Sequence, residues 1–190
     1  MDHHEWHEEL ALAVDIGGTK LAAGLVDGAG HLSGAVRAPT PGRDGAAIWR
    51  VLDELVRRVV AGAPTPPLVC GVGCGGPMEL GGETVSPLNI AAWRRFPLRP
   101  RLGALTGLPT FVDNDAKALA LAEGWVGAAA GRPAFLAMVV STGVGGGIVL
   151  DGRLLDGRLG NAGHVGHVIV EPDGRACRCG GRGCLEAEAS

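Results

Sequence analysis

The sequence predicts an α/β protein of two lobes with mixed β-sheets, and three observations carry that prediction. The order strand, glycine turn, strand, Asp-Gly turn, strand occurs in "LALAVDIGGTKLAAGLVDGAGHLSGAV" and again, about 125 residues later, in "AFLAMVVSTGVGGGIVLDGRLL". Between the copies lies a stretch with helical spacing of apolar residues, "DGAAIWRVLDELVRRVVAG". Two further apolar runs, "PLVCGVGCGGP" and "TFVDNDA", end in glycine or acidic loops, as strands alternating with helices do.

Residues 1–10 read as a polar tail. The opening Met-Asp-His-His-Glu-Trp-His-Glu-Glu is acidic where a signal peptide would be basic and then apolar. His3, His4 and His7 fit a frayed terminus better than a metal site. The first lobe is expected over 11–113. It holds the first hairpin with its turn at Asp27-Gly28, then the surface helix. In that helix Ile48, Leu52, Leu55 and Val59 form the apolar stripe, while Arg50, Asp53, Glu54 and Arg57 lie off it. The buried strand of "PLVCGVGCGGP" follows, with Cys70 and Cys74 as core residues. A short strand ends at Asp113. The second lobe is expected over 114–190, with a helix from near Asn114, the second hairpin with its turn at Asp151-Gly152, and a cysteine-rich loop.

At 190 residues and 46% hydrophobic, the chain can bury a core in one generous domain or two small lobes. A net charge of −3 and a pI near 6.0 offer no long-range attraction to nucleic acid or an anionic membrane. No run approaches the ~18 apolar residues of a membrane span. The expected location is the cytoplasm, where thiols stay reduced, so the clustered cysteines favour a metal over disulfides.

Four stretches carry chemistry. The turns "DIGGTK" and "STGVGGG" follow apolar strands and present converging backbone N–H groups, which make anion sites; each alone reads equally as a plain hairpin turn. Two such loops facing each other would clamp a polyphosphate. Neither has P-loop or G-x-G-x-x-G spacing. Asp15, ending the first strand, is placed to hold magnesium directly or through water, or to cap the turn. In "VDNDA", Asp113, Asn114 and Asp115 stand where strand hands over to helix, at the edge where α/β sheets bind ligands. One of them can be a helix cap. Asn114 can also orient a substrate hydroxyl while Asp115 accepts its proton, since a helix N-terminus favours the ionised carboxylate. Finally, "GHVGHVIVEPDGRACRCGGRGCLEA" sets C-x-C-x₄-C after a histidine, a metal pattern whose alternative is three reduced thiols in a loop.

With these motifs in order, the chain from about residue 11 resembles the ROK family of sugar kinases and repressors. "DIGGTK", "VDNDAKALALAEGWVGAA", "STGVGGG" and "GNAGHVGHV…CRCGGRGCLEA" carry the likeness. The resemblance implies an actin-like, hexokinase-like ATPase fold. It places Asp15, Gly17, Gly18, Thr19 and Lys20 in a first phosphate loop, and Thr142 and Gly143 in a second. Asp115 becomes the general base that takes a proton from a sugar hydroxyl attacking the γ-phosphate of Mg-ATP. Asn114, Asp115, His164, His167 and Glu186 would contact the sugar, as would Gly76, whose "GCGGP" loop departs from the commoner Pro-Gly-Pro. His167, Cys177, Cys179 and Cys184 would be zinc ligands, a closed shell and therefore structural. Where many glucose-specific members carry Glu, this chain has His164, as N-acetylmannosamine kinases often do; histidine can donate where glutamate only accepts. Dimers are common in the family, so the resemblance admits a homodimer. Relatives continue beyond "LEAEAS", so an incomplete second lobe is expected. An ATP-dependent sugar kinase is the leading reading. The alternatives are a catalytically inactive, zinc-stabilised sugar-binding remnant and, because only ten or so residues, acidic in character, stand ahead of "DIGGTK" where a repressor carries a helix-turn-helix, less readily a sugar-responsive repressor.

Overall fold

The computed structural model describes residues 9–42, 44–141 and 143–190. His3, His4, His7 and Thr142 lie outside the described residues. The chain divides into two compact units, Met1–Asp115 and Ala116–Ser190. The division falls just beyond the expected change at 113/114 because Asp113 and Asn114 still pair with Gly73 and Cys74 in the first sheet.

In the first unit, β1 (Leu10–Ile16), β2 (Lys20–Asp27), β3 (Leu32–Pro39), β4 (Val69–Cys74) and β5 (Thr110–Asn114) form one sheet in the order β3-β2-β1-β4-β5. The hairpin strands pair antiparallel, and β1-β4 and β4-β5 pair parallel. Period-two alternation buries Leu10, Leu12, Val14 and Ile16 of β1, and Leu21, Ala23 and Leu25 of β2 join the same core. Helix α1 (Gly45–Ala61) buries Ile48, Leu52, Leu55, Val56 and Val59, the expected stripe plus Val56. Its N-terminus is capped by Asp44, whose carboxylate accepts from the Ala46 N–H at 2.9 Å.

Helix α2 (Leu98–Thr106) is not foreseen from sequence. Its "LRPRLGALT" buries only Leu98 and Leu102, too few to show a period, and it ends at left-handed Gly107. Ahead of it, Trp93 is buried, stacks on Phe96 at 4.1 Å and donates its indole N–H to the Gly45 carbonyl at 3.1 Å, tying this segment to the start of α1.

The second unit carries α3 (Asp115–Trp125), starting one residue later than expected, and an antiparallel sheet of β6 (Phe135–Val140), β7 (Val144–Leu150) and β8 (Arg153–Leu154) in that order. A single 3-10 turn spans Val165–His167, and α4 covers Leu185–Ala189. Gly145, Gly146 and Gly147 lie within β7 rather than in the turn before it. A Cβ on Gly147 would stand 2.5 Å from the Ala120 Cβ, and one on Gly146 would stand 2.7 Å from a Val165 methyl. The glycine run therefore admits α3 and the 3-10 turn to close contact with the strand. Strand β6 leaves Leu136, Met138, Val139 and Val140 exposed.

Candidate functional site

Parallel pairing in the first unit aligns the C-terminal ends of three strands. Asp15 is level with Gly73, and Gly73 with Asp113. The acidic residues of "VDNDA" and the end of "AVDIGG" therefore share one sheet edge, where open α/β sheets bind ligands. Asp15 and Asp115 are both exposed, and Asn114 and Asp113 half-buried. The Asp113 carboxylate accepts from the Asn114 N–H at 2.7 Å. Although its side chain is 55% exposed, Asp15's carboxyl is raised from its ordinary value, chiefly by partial desolvation against the sheet edge; the Lys20 ammonium, 4.0 Å away, opposes this, and the charge of Asp115 adds to it. The Cys74 thiol, buried at the end of β4, is pushed up by burial and then by both carboxylates. Cys70, also buried, is pushed up to about 11 by desolvation, partly offset by a hydrogen bond with Thr110, so both cysteines are inert core groups.

The first glycine loop is a tight hairpin. The Gly17 N–H donates to the Lys20 carbonyl at 2.9 Å, and the Thr40 hydroxyl holds the Gly17 carbonyl at 2.7 Å. Gly17's amide is thus engaged in closing the turn. A Cβ on Gly18 would lie 2.8 Å from the Asn89 Cβ, and one on Gly75 would lie 3.4 Å from the Asn89 Oδ1. Asn89, an exposed residue, thus sits beside both Gly18 and Gly75, a contact that "SPLNIAAW" gives no pattern to reveal. Gly76 precedes a cis Pro77, and its carbonyl accepts from the Leu88 N–H at 3.1 Å.

In the second unit, Glu186 on α4 reaches the second loop. Its Oε2 accepts from the Val144 N–H at 3.0 Å, and a Cβ on Gly143 would stand 2.5 Å from the same oxygen. The family resemblance implies a phosphate contact for Gly143 and a sugar contact for Glu186. The structure brings the two into direct contact, a link no motif announces.

His167, Cys177, Cys179 and Cys184 converge, with all ligand atoms within 4.8 Å of one another. Cys177 Sγ is 3.8 Å from His167 Nδ1, and Cys179 Sγ is 3.7 Å from Cys184 Sγ. Two sulfurs each ~2.3 Å from one tetrahedral zinc would be ~3.8 Å apart, the spacing of Cys179 and Cys184, so the one-nitrogen, three-sulfur donor set suits a zinc ion. Local backbone builds it. The Cys177 N–H donates to Gly181 O at 2.9 Å, closing the cysteine hairpin. Bridging of Cys184 to Ile169, with the Leu185 N–H on Val168 O at 2.9 Å, carries the third thiol back beside His167. The Gly181 N–H donates to Cys179 Sγ at 3.4 Å and, as the largest influence, holds that thiol below its usual range, favouring thiolate. Gly183, at φ 67, passes so close to the Glu171 carbonyl that no Cβ fits. Facing Cys177 through Nδ1, His167 keeps Nε2 for another partner, and His164 lies alongside with ring centroids 6.4 Å apart.

A family model described as ROK matches residues 11–190. N-acetylmannosamine kinase of Citrobacter koseri is 43% identical over 180 residues, covering 94% of this chain and 61% of that enzyme. The crystal structure of a ROK family glucokinase from Streptomyces griseus, in complex with glucose and AMPPNP, matches with a TM-score of 0.83 at 37% identity, over 93% of this chain and 56% of that one. A ROK family transcriptional regulator, a homologue of the E. coli MLC protein, matches at 0.82 with 29% identity, over 96% and 47%. The chain spans little more than half the length of the kinases it matches.

Proposed function

The chain belongs to the ROK family, and on that premise we propose that it serves ATP-dependent phosphorylation of a sugar hydroxyl, on a hexose such as glucose or on N-acetylmannosamine. The observation that carries this reading is the shared sheet edge at which β1 brings Asp15 level with Gly73, and Gly73 with Asp113, just ahead of Asn114 and Asp115. Asp115 takes the proton from the sugar hydroxyl as its oxygen bonds to the γ-phosphorus and the bond to the ADP oxygen breaks. Asp15 is the carboxylate that would hold magnesium, which when bound would supply positive charge to the phosphates. Gly17, Gly18, Thr19 and Lys20 form one phosphate loop, with Thr142 and Gly143 in the other. Asn114, Gly76, His164, His167 and Glu186 orient the sugar. His167, Cys177, Cys179 and Cys184 hold a structural zinc, which fixes the ring of His167 and the hairpin leading to Glu186.

A regulator reading has the MLC homologue behind it. Such a protein binds the sugar without turning over ATP. Measuring ADP release from Mg-ATP against a panel including glucose and N-acetylmannosamine separates the two. Sugar-dependent release is expected; sugar binding without any release would favour the regulator.

A further inference from the structure

Lys117, on the first turns of α3, is the only fully buried charged side chain among the described residues, at 2% side-chain exposure. Its Nζ donates to the Asp156 Oδ1 at 2.8 Å and to the Gly160 carbonyl at 2.8 Å. Both acceptors lie in one loop, which closes on itself where the Ala162 N–H meets the Asp156 carbonyl at 3.0 Å. The loop is rooted on β7 by the Leu155 N–H to the Ile148 carbonyl at 2.8 Å. It runs straight into the histidine segment. Gly163 packs against the Gly146 carbonyl, the Val165 N–H bonds to Gly163 O at 2.7 Å, and the His167 N–H bonds to His164 O at 3.2 Å.

We propose that Lys117 is a positioning residue for sugar recognition: its buried ammonium ties down the Asp156–Ala162 loop and thereby sets His164 and His167. The proposal rests on the sugar-kinase reading. An ammonium is costly to bury, and a helix position needing only apolar contact is better served by Leu or Met. Here the charge reaches two acceptors on a loop that otherwise has few buried groups to hold it. The desolvation is one-sided, because the Asp156 side chain stays 58% exposed. Removing Asp156 strands a buried cation, whereas removing Lys117 strands a carboxylate that water can solvate. A lysine that only stabilised the fold would share this asymmetry but would show no preference for sugar over nucleotide.

The test uses the zinc-loaded chain with Lys117→Met and Asp156→Asn. Amide hydrogen exchange, sugar affinity and affinity for a non-hydrolysable ATP analogue are measured on each. In Lys117→Met, amides 157–167 should exchange about tenfold faster while β7 and the cysteine hairpin keep their protection. Sugar should bind about tenfold more weakly, about 1.4 kcal/mol, with the nucleotide within about twofold. Asp156→Asn should melt at the lower temperature of the two. Unchanged or uniformly faster exchange, or equal losses of sugar and nucleotide affinity, would overturn the assignment. A parent chain that binds no sugar would sink the kinase reading, and exchange and melting order would then decide the tether alone. Should Lys117→Met fail to fold, the expected melting order is overturned, and Lys117→Gln, which removes the charge but keeps a polar end, carries the exchange and affinity measurements.

Discussion

Ionising Asp15 in the folded chain is opposed by burial and by the negative charge of Asp115, only partly offset by Lys20. Its folded pKa therefore lies above its unfolded one, and above both values the charged group lowers stability. Asp15→Asn is expected to raise the melting temperature at pH 7 in the absence of magnesium. The gain should fade as pH falls through the carboxylate range, where the wild-type side chain is protonated. The same variant should lose magnesium-dependent turnover, a trade of function against stability that melting curves at several pH values would reveal. Glu186 gives a second residue-scale expectation. Gly143→Ala places a methyl where the carboxylate lies, so the bond to the Val144 N–H must break. Sugar and nucleotide affinities should then both fall, measurable by calorimetry. The places of Asp15 and Asp115 beside the ends of β1 and β5 were legible in the sequence because strand ends announce themselves. Lys117 and Asn89 were not, since the roles of a buried lysine and of a turn asparagine depend on tertiary neighbours.

The cysteine hairpin is short, and α4 has five residues, none of them buried. Helices this short do not persist by propensity, so on the zinc reading proposed above the element would depend on its metal. Chelation should release one zinc per chain and strip protection from residues 167–190 while the first unit's sheet keeps its own, as read by metal analysis with hydrogen exchange. Gly183→Ala, colliding with the Glu171 carbonyl, should abolish zinc retention. At α1 the stripe was readable residue by residue, and Leu52→Ala there should cost about 2–5 kcal/mol in chemical denaturation. Elements without a period escaped, as α2 did. The glycine run of β7 was read as loop because its role is to admit Ala116 and Ala120, and sequence does not show what will pack against a missing side chain.

On the scale of the chain, two units each contain the strand-turn-strand hairpin that the repeat announced, and in the first the parallel register of β1, β4 and β5 delivers both aspartates to one edge. Hydrophobic alternation made the mixed sheet legible, and motif order made the family legible. Loop-to-loop contacts such as Gly143 with Glu186 required coordinates. The account's central claim is that Asp115 removes the hydroxyl proton, and the most direct measurement is sugar phosphate formed from Mg-ATP by the parent and by Asp115→Asn at matched sugar occupancy. A fall of about 10²–10⁴-fold is expected, with sugar affinity held within about twofold. Equal product formation by the two chains would contradict it.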